Sequence, residues 1–217
     1  MAKTNNTNHL LSTAADVSLG RMKMFAKNNP WRPIYIACVL FLVIGYLFYF
    51  SAYLLPTPQW GRELMIWAMP TVKGLDSAAR VGAIRGTDPF PAQVVILYCA
   101  LGSILLTVWC VCKGSFNERL LQEMLCNCRK VPREKRPSKF QYFFAGVAAL
   151  LAGIFCLYMA FWFSASNITW HDFKFHSSST GSASFLLVVA VTMPLVVVVS
   201  PPMFYLSLFQ NKFSKES

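Results

Sequence analysis

Of the chain's 217 residues, 55% are hydrophobic and 13% charged, whereas soluble domains carry about 45–50% and about 25%. With 18 phenylalanines and a mean hydropathy of +0.45, this composition excludes a disordered chain, a nucleic-acid-binding arm and an ordinary soluble enzyme domain. The net charge of +11 implies no nucleic-acid partner, because the basic residues are placed by membrane topology.

A helix needs about 20 apolar residues to cross a hydrocarbon core of about 30 Å. Four charge-free intervals are long enough: residues 33–61, 89–112, 140–171 and 175–211. Trimmed at prolines and polar residues, they predict an all-α polytopic membrane protein. Its membrane domain covers residues 33–209, with spans near 33–55, 92–113, 141–165 and 184–209. Cytoplasmic flanks carry an excess of Lys and Arg. Fifteen basic residues fall in the N-terminal tail, the middle loop and the C-terminal tail, and five in the other two loops. Both termini are therefore expected in the cytoplasm.

In chain order, residues 1–32 form a cytoplasmic tail. Leu11, Ala15, Leu19, Met22 and Phe25 recur there at helical spacing beside Arg21, Lys23 and Lys27, a pattern suited to an interfacial helix or to a frayed tail. The first span is longer than a signal-peptide core and is not followed by a small-x-small cleavage site. Trp31, Trp60, Trp109, Trp162 and Trp170 fall near predicted span ends, where amphipathic rings favour the headgroup layer.

The outer loop 56–91 is the most informative soluble segment, too long for a mere connector. It carries an apolar group (Leu64, Met65, Ile66, Trp67) and a mixed-charge stretch. The apolar group is expected to lie on the membrane surface or to meet a partner. Trp and Arg dominate interface hot spots, so Trp60, Arg62, Trp67, Arg80 and Arg85 are the partner-recognition candidates.

The inner loop 114–140 opens with a capping-box pattern at Ser115–Glu118 and a helical face of Phe116, Leu120, Met124 and Cys128 that Pro132 ends. Arg129, Lys130, Arg133, Lys135, Arg136 and Lys139 then supply six bases against one acid. They fix topology and attract anionic lipid. In the third span Ala145, Ala149 and Gly153 recur every four residues, a small-residue seam for close helix packing.

The outer loop 166–183 is short, rich in Ser and Thr, and is expected to be flexible. It contains the sequon Asn167-Ile168-Thr169 and a ligand-like group, His171, Asp172 and His176. Lacking a fourth donor, that group is read as binding no metal. The last span contains Pro194, Pro201 and Pro202, whose freed carbonyls need neighbouring helices or Ser200. Residues 210–217 form the cytoplasmic tail.

No Asp, Glu, Lys, Arg or His lies inside a span, which argues against an ion-coupled transporter. The close cysteine pairs Cys110/Cys112 and Cys126/Cys128 lie on the expected reducing side with the wrong spacing for a membrane thiol oxidoreductase. Metal binding or lipidation of those thiols is the alternative to idle ones. No phosphate-binding, nucleophile-elbow or zinc-hydrolase motif occurs. The chain reads as non-enzymatic and without a cofactor.

The Asn-rich start MAKTNNTN, the outer loop GRELMIWAMPTVKGLDSAARVGAIRG and the inner loop RKVPREKRPSK give a layout that resembles plasmid-encoded entry-exclusion proteins. That resemblance implies a bacterial inner-membrane protein that blocks redundant conjugative DNA transfer by recognising the incoming machinery, an envelope-spanning protein partner. Bacteriocin immunity proteins share the style, and an accessory subunit of a secretion, transport or channel assembly is the alternative. Tetraspanins and claudins place cysteines in their outer loops, and this chain has none there.

Overall fold

In the computed structural model, the described residues are 31–115, 136–163 and 167–209, together with 121, 126, 127, 130 and 131. All regular structure among them is helical. Helix α1 spans Arg32–Leu54, α2 Gln59–Ala68, α3 Lys73–Arg85, α4 Phe90–Cys110, α5 Lys139–Leu157, α6 Trp170–Phe175 and α7 Thr180–Phe209. Five-residue π-helical turns extend α4 over Val111–Ser115 and α5 over Tyr158–Trp162. Four of these helices are long and apolar enough to cross a membrane: α1, α4 and α5 with their extensions, and α7. The shortest, α1 with 23 residues, rises about 35 Å at 1.5 Å per residue.

Local chemistry sets the ends. Pro33 and Pro91 occupy first helical turns, where a missing N–H costs nothing and the fixed φ fits. The Asp88 carboxylate accepts from the Phe90 N–H at 3.0 Å and starts α4. Ser138 and Gln141 form a reciprocal capping box at the start of α5, with bonds of 3.3 and 2.7 Å. Ser179 Oγ accepts from the Ser182 N–H at 3.3 Å. The last span therefore begins at Thr180, four residues earlier than the composition predicts. Ser182 and Ala183 are buried in its first turn.

Helix α7 is the hub. It packs most extensively on α5, then on α4 and α1, while α4 also bears on α1 and α3. Glycines permit the closest approaches. A Cβ at Gly45 would collide with Leu187, and one at Gly102 would lie 2.5 Å from the Phe41 ring. Few polar bonds cross the bundle. Tyr98 donates to the Phe41 carbonyl at 2.8 Å, and Tyr46 donates to Ser184 Oγ at 2.9 Å. Helix α7 continues through its three prolines. Pro201 frees the Val197 carbonyl one turn earlier, and Ser200 Oγ donates to that oxygen at 2.8 Å.

The small-residue seam of α5 differs from its sequence reading. Gly146 and Gly153 are buried, Ala149 is half-buried and Ala145 is exposed. A Cβ at Gly146 would meet the Phe204 ring at 3.0 Å, and one at Gly153 would meet Val197 Cγ2 at 2.5 Å. The contact stripe runs at spacings of three and four, following the 3.6-residue period. A strict four-residue repeat drifts off it.

Residues 1–30 of the N-terminal tail, Phe116–Glu118 of the capping-box pattern, Leu120, Met124, Cys128, Arg129, Arg133, Lys135 and residues 210–217 lie outside the described residues. Of the basic inner cluster, Lys130 is exposed, Arg136 donates to the Val131 carbonyl at 2.7 Å, and Lys139 opens α5 as an exposed residue.

Candidate functional site

Helices α2, α3 and α6 gather at one end of the bundle, where α1 and α5 finish and α4 and α7 begin. Together they form a cap. Helix α3 packs on α4, on the π turn after α5 and on α6, while α2 packs on α4. Gln93 of α4 donates to the Leu75 carbonyl of α3 at 3.2 Å. Thr57 donates to Asp88 Oδ2 at 2.9 Å, and Ser178 donates to the Asp88 carbonyl at 2.7 Å. The loop 166–183 is thus tied to the loop 56–91. Gly86 closes α3 in the left-handed region, at φ 63°, where glycine carries no Cβ penalty.

The apolar cluster of the first cap segment divides between two faces of α2. Gly61, Met65 and Ala68 point inward at spacings of four and three. Trp60, Leu64 and Trp67 form a second stripe at the same spacing, with Trp60 69% and Trp67 79% exposed. Arg62 and Ile66 are also exposed. Beneath Trp60 and Leu64 lies an apolar groove of about 870 Å³ between α1 and α4, lined by Phe48, Tyr98, Leu101 and Leu105 among others. The Trp60 face therefore overhangs the flank of the membrane helices.

Two of the recognition candidates are engaged inside the cap. Arg80 Nε lies 3.3 Å from Asp76 Oδ2, and its guanidinium donates to Ser77 Oγ at 3.5 Å. Arg85 sits over the Phe173 ring, 5.2 Å from its centroid. Arg80 is thus held along its own helix, whereas Arg85 joins α3 to α6 and remains exposed.

The largest departure from the sequence reading is at residues 166–183, expected to be a flexible loop. Thr169 and Asp172 form a capping box: the Thr169 N–H and hydroxyl donate to Asp172 Oδ2 at 2.8 and 2.9 Å. This starts α6 and turns Asp172 into the protein, where it is 1% exposed. His176 is fully buried, its Nε2 3.1 Å from the Ala160 carbonyl. His171 stacks on Phe175, centroids 4.3 Å apart. One ligand atom from each of His171, Asp172 and His176 lies within 4.8 Å of the others. The signal for this order was readable, since Thr-x-x-Asp is a capping pattern. It went unread because the hydroxyl looked like part of a sequon and the segment looked like a serine-rich tether.

Electrostatics follow from these partners. Burial alone would raise the Asp172 pKa, but the Thr169 bonds, a Ser77 hydrogen bond and His176 outweigh it and hold the carboxyl below its ordinary value. Burial drives the His176 pKa below that of a free imidazole, despite the opposing Ala160 bond and Asp172. At neutral pH the pair is therefore carboxylate and neutral imidazole. No family model matches the chain, and neither a curated protein nor a solved structure does.

Proposed function

We propose that this chain is a non-enzymatic integral protein of a bacterial inner membrane, with both termini cytoplasmic and the cap outside. Its task is recognition of an envelope-spanning partner, with exclusion of redundant conjugative DNA transfer as the specific role. The observation that carries this reading is where the buried polar groups are spent. Among the described residues, Ser77, Gln93, Asp172, His176, Ser177 and Ser182 are buried at the cap end, against Ser103, Ser200 and Ser207 deeper in the bundle, and the span interiors hold no Asp, Glu, Lys, Arg or His. The hydrogen bonds among these groups, such as Gln93 to Leu75 and Ser182 to Lys174, tie the cap segments together. An ordered cap on an otherwise inert bundle suits presentation of a surface better than transport. Trp60, Arg62 and Trp67 face outward on α2 and are of the residue types that dominate interfaces. Arg85 ties α3 to α6 within the same cap.

The test is a mating assay with recipients that make the chain, challenged by donors of several conjugative transfer types. Transfer from at least one donor type should fall tenfold or more. The fall should vanish with Trp60→Ala or Trp67→Ala at unchanged membrane abundance. Recipients with abundant protein and unaltered transfer from every donor overturn the exclusion role. A stoichiometric assembly recovered in mild detergent would instead support an accessory subunit.

A further inference from the structure

We propose that His171, Asp172 and His176 form a binding site for one borderline divalent transition-metal ion such as Zn²⁺, seated beneath the cap. The inference does not depend on the recognition role. It rests first on ligand chemistry: two imidazoles and a carboxylate are the donor set that such ions take, with a fourth position left for water. It rests next on the tautomer of His176. The Ala160 carbonyl can only accept, so Nε2 carries the proton and donates the 3.1 Å bond. In the neutral ring this leaves a lone pair on Nδ1. That nitrogen is buried and makes no hydrogen bond of good geometry, and its nearest polar neighbour is Asp172 Oδ1 at 3.5 Å. The imidazole nitrogen and the carboxylate oxygen thus face each other across a gap that a small cation would bridge. A backbone carbonyl on the far ring nitrogen is also the usual outer partner of a metal-ligating histidine.

Geometry supports the same conclusion. With bonds of about 2.0 Å, the edge of a tetrahedral site is about 3.3 Å, close to the His176–Asp172 separation. His171 completes the set. Its Nδ1 is likewise buried without a partner, while the ring as a whole is half-buried, so a modest rotation closes the remaining gap. Asp172 Oδ2 accepts both Thr169 bonds, and Oδ1 is the oxygen nearest His176. The ion would pin α6 to its own C-cap at His176. Through the Ala160 and Ser77 bonds it would also couple the end of α5 and α3.

The test uses the full chain in detergent, stripped with chelator and titrated with Co²⁺, then back-titrated with Zn²⁺. One Co²⁺ per chain should bind with visible absorption typical of four-coordinate nitrogen and oxygen ligation, be displaced by Zn²⁺, and raise the melting temperature. His171→Phe keeps the aromatic stack on Phe175 while deleting a ligand, so it should fold and bind at least tenfold more weakly. His176→Ala should abolish binding. Serine at Cys112, Cys126 and Cys128 should leave the spectrum unchanged. Absence of stoichiometric binding at micromolar metal overturns the site, as does binding that survives His171→Phe or disappears with the cysteines.

Discussion

Replacing Gly153 by Leu should detach α5 selectively, and the size of the effect follows from one contact. A Cβ at this position lies 2.5 Å from Val197 Cγ2, against about 3.5–4.0 Å for carbons in contact. Either the helices separate by on the order of 1 Å, or Val197 leaves the single χ1 well it prefers in a helix. Overpacking of this kind costs about 1–3 kcal/mol, and a full leucine belongs at the upper end. The gain of about 1 kcal/mol in helix propensity over glycine offsets part of it, leaving a net loss of about 2 kcal/mol. Because α5 packs mainly on α7, no other interface shares the strain. Ala145→Leu is the control: that residue is exposed on the same helix, and its substitution should stay within about 0.5 kcal/mol. Reversible unfolding in mixed micelles, followed by circular dichroism, measures both. A loss at Ala145 that equals or exceeds the loss at Gly153 would refute the packing argument.

Cysteines introduced at Ala83 in the cap and at Lys130 in the inner loop should label from opposite sides of the membrane, with Ala83 outside; external labelling at Lys130 would reverse the orientation. Changing the exposed Cys112 and Cys126 to Ser should alter stability by less than about 0.5 kcal/mol and leave membrane abundance unchanged in immunoblots. Tyr98→Phe removes the 2.8 Å bond to the Phe41 carbonyl and should cost about 0.6 kcal/mol in the same unfolding assay, the average for interhelical bonds in membranes. Phe173→Ala should loosen Arg85 at a cost of about 0.5–1 kcal/mol, the worth of an exposed cation–π contact, and should increase labelling of a cysteine placed at Ile84.

The four spans were legible because crossing hydrocarbon imposes a length and a polarity that few sequences meet by chance. Their ends were less so, since local detail decides them: Ser179 advances α7 by a turn, and the backbone turns extended at Phe163, which ends the third span at Trp162. The seam on α5 was half legible, because small residues mark close packing but only the helical period selects which of them point inward. The cap was the least legible part. Its order depends on bonds between segments far apart in sequence, such as Ser178 to Asp88 and Gln93 to Leu75, and composition carries no trace of these.

That division has a physical cause. Inside the bundle the helices are already solvated by apolar neighbours, so burial contributes little and packing rests on shape, with Gly45, Gly102 and Gly153 admitting larger partners. At the cap, water competes for every polar group, and only a closed network keeps Asp172 and His176 inside. Asp172 meets this demand with bonds from Thr169 and Ser77, on two separate cap segments. His176 meets half of it through Ala160 and leaves Nδ1 unanswered. Two adjacent imidazole nitrogens, His171 Nδ1 and His176 Nδ1, that stay unanswered beside a well-bonded carboxylate point to chemistry beyond the polypeptide. The cap is therefore where perturbation separates a structural role from a functional one: loss of Trp67 should spare the fold, whereas loss of His176 should loosen α6 before it affects any surface.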